Sequence, residues 1–272
     1  MAARELDSLM EDANRAMLAL LDDFRKSVLL ALIQAQEPFS ATYRQLLREV
    51  DALLAQTQAQ MTRTMAEHLE VAANAGDDAA LDEVRSFIGS VNSYVGVSEV
   101  LVRTSAEYVA DLITAITNEA RATITREVRL AALGGMTTTE LIDRIGKTLD
   151  SPGVFKTLAA RAEAIARTEV ARIRNTAHFE QAKELSDKYE GVRKVWEHSG
   201  SSPGFSGHQR RQSRPNHIRT WQRTSEKPIP VADDFNLGSG ITARYPHDPL
   251  LPASETVHCR CRVRLVAPEP KG

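Results

Sequence analysis

Proline is nearly absent from the first half of the chain and concentrated in its last quarter. Between Glu5 and Leu149 the only proline is Pro38, whereas nine of the 11 prolines lie between Pro203 and Pro270. Because proline interrupts helices, the first region can form long helices and the last cannot. The sequence therefore predicts an α+β protein: a long helical N-terminal region, either an elongated bundle or an arm, followed by a small mixed α/β C-terminal domain.

Apolar residues recur at three- and four-residue steps through the first region, as in amphipathic helices. One stripe runs from Leu6 to Ala31 and stops before Pro38. We expect a second helix to begin after Ser40, a good N-cap, and to end near Gly76, where the segment AGDD would be a linker before a shorter helical stretch. Further helices are predicted over 98–133, 139–149 and 154–190, with Gly134-Gly135 and Ser151-Pro152-Gly153 as stops.

The clearest strand pattern lies near the C-terminal end of the chain. The apolar residues Val257, Cys259, Cys261, Val263 and Leu265 alternate with His258, Arg260, Arg262 and Arg264. A period of two is typical of a strand with one apolar face. We therefore expect a strand over 257–265 whose other face carries a row of positive charge.

The chain is close to neutral as a whole, with a formal net charge of −2, but its basic residues cluster. Candidate contacts are Arg193, Lys194, Arg210, Arg211, Arg214, Arg219 and Arg223, which face a single acidic residue in their segment, Glu197, together with Arg260, Arg262 and Arg264 of the predicted strand. Arginine suits bidentate contact with phosphate or carboxylate, so this set predicts a surface for nucleic acid or for an acidic protein partner. The alternative is a solvated loop whose arginines pair with the acidic residues Asp233, Asp234, Asp248 and Glu255.

The chain has two cysteines, Cys259 and Cys261, only two residues apart. This spacing is poor for a disulfide, so we expect free thiols. Thiolate and imidazole groups together suit zinc, and the histidines considered are His208, His217 and His258. Because strand alternation would turn His258 away from the sulfurs, the candidate metal ligands are His217, Cys259 and Cys261. The alternative is two buried cysteines that pack as small apolar side chains, with no cofactor.

Sequence motifs give little support for hydrolytic or phosphate-cradling chemistry. The chain has no H-E-x-x-H and no G-x-x-x-x-G-K-[ST], and Gly200-Ser-Ser-Pro-Gly204, which has the form G-x-S-x-G, belongs to a loop-like stretch without a following helix signal. Its N-terminus lacks the basic start and apolar core of a signal peptide, and no segment reaches the roughly 18 apolar residues that span a bilayer. We therefore expect a soluble, non-enzymatic protein without Sec-type export or membrane insertion.

Several short motifs occur in a fixed order along the second half of the chain. They are IARTEVARIRNTAHFEQAK (Ile165 to Lys183), Val192-x-Lys194-x-Trp196, Arg214-Pro-Asn-His217, Ile229-Pro-Val-Ala-Asp-Asp-Phe235, Tyr245-Pro-His-Asp-Pro249 and His258-Cys-Arg-Cys261. In order and spacing they resemble the tailed-phage head morphogenesis family, the minor head proteins of the Mu F type, over residues 125–266. The chain departs from the family pattern in three places: His258 stands where asparagine is usual, His247 where glycine is usual, and Trp221-Gln222 where a glycine-containing turn is common.

The resemblance implies a minor capsid protein, a low-copy virion component that associates with the portal inside the phage head and acts in head morphogenesis. It would be in the host cytoplasm during assembly. Residues 1–150 would form a helical region that docks on portal or capsid or self-associates. Residues 151–272 would form the Mu F-like domain, with double-stranded DNA as a further partner. Two alternatives stay open: a zinc-binding enzyme or toxin-like nuclease that uses His217, Cys259 and Cys261, and a DNA-binding protein outside any virion.

Overall fold

The structure, a computed structural model, describes residues 2–35, 39–91, 96–198 and 214–267. The first part is helical: α1 (Ala2–Gln34), α2 (Phe39–Ile88), α3 (Glu99–Leu130) with a π-helical turn (Ala131–Gly135), α4 (Thr138–Ile145) and α5 (Val154–Lys188). The second part contains β1 (Arg193–Glu197), α6 (Pro215–Glu226), β2 (Ile229–Pro230), β3 (Phe235–Gly238), β4 (Ile241–Ala243), α7 (Ala253–Thr256) and β5 (Arg262–Val266). The predicted α+β class, with long N-terminal helices before a small mixed region, is confirmed. Within the described ranges, no helix has both the length and the apolar character that crossing a membrane requires.

The short helix α4 and the start of α5 show how local sequence sets the helix ends. Thr137 and Glu140 form a capping box, in which each side chain accepts a hydrogen bond from the other residue's backbone N–H. Gly153, with φ of 141°, passes so close to Ile145 that a Cβ would lie 2.7 Å from the Ile145 carbonyl. Glycine is required there, which explains the break that Ser151-Pro152-Gly153 predicted.

The prediction that the second helix begins after Ser40 and ends near Gly76 is wrong. Helix α2 begins at Phe39 and continues through the AGDD segment to Ile88. Gly76 is not a stop but a contact point, since a Cβ at this position would lie 2.2 Å from the carbonyl oxygen of Arg174 on α5. The absence of a side chain lets the two helix backbones approach closely, a function of glycine that leaves the helix intact.

The chain packs into two compact units, neither of which is continuous in sequence. The first comprises residues 11–67 and 106–166, which are helical. Its core is the set of apolar stripes that the sequence predicted, and Phe24 of α1 meets Phe155 of α5 edge to face at 5.9 Å. A polar contact also lies within it, because Thr117 donates a hydrogen bond to Gln58 (3.1 Å), which in turn donates to Thr114 (2.9 Å).

The second unit comprises residues 1–10, 68–105 and 167–272. Its antiparallel sheet has the order β2-β1-β5, in which Trp196 pairs with Val263, and β3 pairs with β4 beside it. The end of α2 and the second half of α5 contribute Leu81, Val84 and Phe179 to the same apolar core. The sequence analysis divided the chain by expected role into a helical docking region, residues 1–150, and a C-terminal domain, residues 151–272. That division stays a prediction.

The strand predicted over 257–265 is wrong in its first half. Strand β5 begins only at Arg262, and the preceding residues form the short helix α7 and a turn in which His258 has φ of 57°. A left-handed residue cannot belong to a regular strand, so Cys259 and Cys261 are buried within a turn, and Val257 is only half-buried.

Candidate functional site

His217 lies in the first turn of α6, two residues after Pro215, which favours the start of a helix. Its imidazole is buried, and Nε2 lies 2.8 Å from Oε2 of Glu255. Because a carboxylate accepts, Nε2 carries the proton of this bond and Nδ1 is left to face the opposite side. There Nδ1 lies 3.5 Å from the sulfur of Cys259 and 3.5 Å from the sulfur of Cys261.

The turn after α7 brings both cysteines to this histidine. The N–H of Cys259 donates to the carbonyl of Thr256 (3.0 Å), and the N–H of His258 donates to Oγ1 of Thr168 on α5 (3.4 Å). The left-handed conformation at His258 lets the chain reverse, and the N–H of Cys261 donates to the Cys259 sulfur (3.4 Å). As a result, the sulfurs of these two cysteines both lie next to Nδ1 of His217.

The candidate metal ligands therefore form one cluster. Nδ1 or Nε2 of His217 and the sulfurs of Cys259 and Cys261 all lie within 4.8 Å of one another, and all three residues are buried. Both cysteines are free thiols, as predicted. Two sulfurs and one imidazole nitrogen are a donor set that suits zinc.

The two thiols have unequal proton affinities. A hydrogen bond from Cys261, together with the nearby His247 and His217, lowers the pKa of Cys259 well below its ordinary value despite burial. Sharing that hydrogen bond and burial both raise the pKa of Cys261. The pair thus favours one thiolate beside one thiol when no cation is bound.

Residues around Glu255 fix its position. Its Oε2 accepts a hydrogen bond from Nδ2 of Asn216 (3.1 Å) as well as from His217. Arg214 donates from Nε to the carbonyl of Ser254 (2.6 Å) and from Nη2 to that of Val257 (2.9 Å), at the two ends of α7. The Arg-Pro-Asn-His motif therefore ties the start of α6 to the helix that carries Glu255.

A second buried histidine, His247, stabilises the cysteine turn through hydrogen bonds. Its Nε2 donates to the carbonyl of Cys259 (2.9 Å), and its Nδ1 accepts from the amide of Asn175 (3.1 Å). Burial lowers the pKa of His247, which favours the neutral ring. Asn175 also donates to the carbonyl of Cys261 (3.2 Å) and accepts from the N–H of Val263 (3.3 Å). One amide on α5 thus orients the histidine, the cysteine turn and the start of β5.

Aromatic residues of β1 and β3 pack beside the cluster of His217, Cys259 and Cys261. The rings of Trp196 and His217 meet edge to face at 4.9 Å, and Trp196 meets Phe235 at 5.3 Å. His198 follows β1, and its ring lies 6.1 Å from that of Trp221 on α6. Burial lowers the pKa of His198, and the charge of Cys259 opposes this shift.

The basic residues predicted to make contacts differ widely in exposure. Lys194 is fully buried between the rings of Phe179 and Phe235, each 4.8 Å from Nζ, and donates to the carbonyl of Arg244 (2.7 Å). Burial lowers the pKa of Lys194 to about 8. A buried ammonium cannot reach an external phosphate, so the geometry makes Lys194 a core residue.

Most of the other basic residues that the structure describes also bind within the chain. Arg262 and Arg264 pair with Glu197 across the sheet, Arg260 lies 3.9 Å from Asp7, and Arg223 donates to the carbonyl of Asn236. The row of positive charge expected on the last strand is therefore largely neutralised. Arg219 is exposed and donates to the carbonyl of Pro215 within its own helix turn, and Arg193 is half-buried. Arg210, Arg211 and His208 lie outside the described residues.

The opposite-charge pair Glu169 and Arg172 on α5 is mostly buried. Their side chains meet at 2.7 Å, and Glu169 is almost fully covered. Burial raises the pKa of Glu169 to about 7, although the Arg172 charge opposes the shift. A carboxyl group in the motif helix is thus poised to change charge near neutral pH.

A separate groove of about 470 Å³ lies along α3 in the first unit. Among its lining residues are Arg121, Arg126, Arg129, Leu130 and Leu133. Leu133 is 85% exposed, an unusual position for a large apolar side chain.

Comparison of the chain with protein-family models, curated proteins and solved structures yields no match.

Sequence reasoning selected the three candidate ligands but missed the groups that orient them. Glu255 was considered only as a partner for arginines, and its bond to His217 joins residues 38 positions apart, which no local pattern reveals. Asn175 belongs to the motif from Ile165 to Lys183 on α5, and its place in that motif could have identified it from the sequence. His198 carried no sequence signal at all.

Proposed function

We propose that the protein is a minor head protein of a tailed phage or prophage, which associates with the portal and acts in head morphogenesis. The proposal rests on the resemblance of the motif series to the Mu F type of head protein. The role is structural, carried by binding surfaces and not by chemistry.

The observation that carries the proposal is the convergence of the motifs. Asn175 of the first motif contacts His247 of the Tyr-Pro-x-Asp-Pro motif and the backbone of Cys261 in the last. His217 of the Arg-Pro-Asn-His motif lies against both cysteines. The residues that carry the resemblance thus lie together in one core, as the motifs of a single domain do.

Two departures from the family pattern also support the resemblance. His258 and His247 have φ of 57° and 66°, in the left-handed region. The family usually has asparagine and glycine there, the residues that adopt this conformation at least cost. The backbone thus has the shape that the usual residues favour, even where the side chains differ.

The groove on α3 is the surface that we assign to portal docking. Leu130 and Leu133 are exposed beside Arg121, Arg126 and Arg129. An exposed leucine rimmed by arginines is typical of a protein interface, where an apolar centre is surrounded by polar groups. The partner surface is expected to be apolar with an acidic rim.

Contact with packaged DNA is assigned to Arg219 with Arg210 and Arg211. All three belong to the basic segment of the sequence, and Arg219, the one within the described residues, is exposed on α6. Arg214 and Lys194 are excluded from this surface, since Arg214 holds α7 and Lys194 is buried.

The direct test is co-expression of the full chain with the portal protein encoded in the same genome, followed by affinity purification and gel filtration. The proposal predicts a complex that survives gel filtration at moderate salt. Separate elution of the two proteins at all tested concentrations would contradict the portal association.

A second candidate function is a zinc-dependent enzyme or toxin-like nuclease built on His217, Cys259 and Cys261. The convergence of these three donors favours metal binding itself. Their burial argues against turnover, because a catalytic metal needs an open position that substrate can reach. A nuclease assay on linear and supercoiled DNA with added zinc separates the candidates, since cleavage that His217→Ala abolishes would support the enzyme.

A further inference from the structure

The spacing of the buried cluster agrees with a tetrahedral zinc site. Bond lengths of about 2.0 Å to nitrogen and 2.3 Å to sulfur place bound nitrogen and sulfur atoms roughly 3.5 Å apart in a tetrahedron. Nδ1 of His217 lies 3.5 Å from each of the two sulfurs. The three donors therefore need little movement to bind one ion.

Hydrogen bonding alone accounts poorly for the arrangement. Nδ1 offers a single lone pair, and two sulfurs approach it at the same distance. Only one thiol can donate to it. A cation between the three atoms would satisfy all of them, and two thiolates would neutralise the charge of Zn²⁺ in a buried position.

The groups around the donors resemble those that support metal ligands. His217 donates its other ring N–H to Glu255 at 2.8 Å, the carboxylate-histidine arrangement that fixes ring orientation and raises ligand basicity. The N–H of Cys261 donates to the Cys259 sulfur, which stabilises a thiolate.

We propose that His217, Cys259 and Cys261 bind one structural zinc ion. The ion joins the start of α6 to the turn after α7. It is a stabilising element and not a catalytic one, and it is independent of the portal and DNA contacts proposed above.

The test begins with the full chain purified from cells grown with added zinc. Plasma mass spectrometry should find close to one zinc per chain, lost in Cys259→Ser and Cys261→Ser. Refolding the parent chain with Co²⁺ should produce a thiolate-to-cobalt charge-transfer band, and the chain has no other cysteines to produce it. Absence of both zinc and this band in the parent chain would overturn the proposal.

Glu255→Gln keeps all three ligands and so tests the site without removing a donor. It should weaken zinc affinity about 10- to 100-fold, as loss of a supporting carboxylate does. Glu226→Gln, an exposed position on α6, is the matched control and should bind zinc like the parent. Equal affinity in the Glu255→Gln and Glu226→Gln chains would contradict a metal held through His217.

Discussion

Nε2 of His217 lies 2.8 Å from Oε2 of Glu255, across 38 positions of sequence. This bond decides which ring nitrogen faces the two sulfurs, because the protonated Nε2 is engaged with the carboxylate. The orientation of one imidazole therefore depends on a residue of α7, which Arg214 in turn holds by both ends. The Arg-Pro-Asn-His motif is thus explained as a unit: its arginine, asparagine and histidine all bind the same short helix.

Gly76→Ala should destabilise the protein. In an unobstructed helix, alanine would be favoured over glycine by about 1 kcal/mol. Here the new Cβ would lie 2.2 Å from a backbone oxygen of Arg174, which cannot rotate away. We expect the free energy of unfolding to fall by about 2 kcal/mol, as for other overpacked positions.

Urea unfolding measures this change. Asp78→Ala, two residues further along α2 at an exposed position, is the control and should change the free energy of unfolding by less than about 0.5 kcal/mol. A stability gain in Gly76→Ala would mean that α2 and α5 do not approach closely at this point.

Lys194 should make stability depend on pH in the alkaline range. Its pKa is about 8 in the folded chain and about 10.4 when unfolded, so the unfolded state binds more protons between these values. Stability from this group therefore rises with pH through that window. Lys194→Met removes the group, and its stability relative to the parent chain should fall by about 2 kcal/mol between pH 8 and pH 10.

Parallel denaturation curves at several pH values check this. Lys227→Met, at an exposed position after α6, should show a stability difference that does not vary with pH. If Lys194→Met behaves in the same way, Lys194 is solvated, and its role as a nucleic-acid contact would be open again.

Local patterns predicted the helices well, because apolar periodicity and breaking residues act over a few positions. They failed at Gly76 and at His258, where tertiary contacts decide. Glycine in a helix usually weakens it, but at Gly76 the close approach of α5 gives the residue a packing role. Around His258 the sequence alternates as it would in a strand, but the backbone forms a turn. It is this turn that buries Cys259 and Cys261.

The candidate site was predictable in its ligands but not in its geometry. His217, Cys259 and Cys261 stood out by residue type. Whether they meet depends on α6 packing against α7, which involves residues far apart in sequence. For the basic residues, residue type alone predicted exposed contacts. Composition cannot distinguish an exposed arginine from Lys194, which lies in an aromatic core.

Leu133→Asp should prevent portal binding without unfolding the chain. Its side chain is 85% exposed, so the substitution removes no core contact. An apolar residue at the centre of an interface commonly contributes more than 1 kcal/mol, so affinity should fall about tenfold or more. Leu250→Asp is the matched control, because Leu250 is 82% exposed in the other unit. Equal portal affinity of the two variants would exclude the α3 groove as the docking surface.

DNA contact should depend on Arg210, Arg211 and Arg219. The triple Arg→Gln variant should weaken binding, and the slope of log affinity against log salt should decrease by about 2 to 3, since each phosphate contact contributes about 0.9. Fluorescence anisotropy with a labelled duplex at several salt concentrations measures this slope. A control variant with Arg48, Arg63 and Arg103 changed to Gln, all exposed on α2 and α3, should keep the parent slope. Equal slopes in both variants would remove DNA contact from the proposed surface.

Quantitative mass spectrometry of purified phage heads tests the proposed function most directly. Heads from the phage or induced prophage that encodes this chain should contain it in low copy number, in constant ratio to the portal protein, and retain it after washing with high salt. Absence of the chain from heads that contain portal and major capsid protein would contradict its role as a minor head protein.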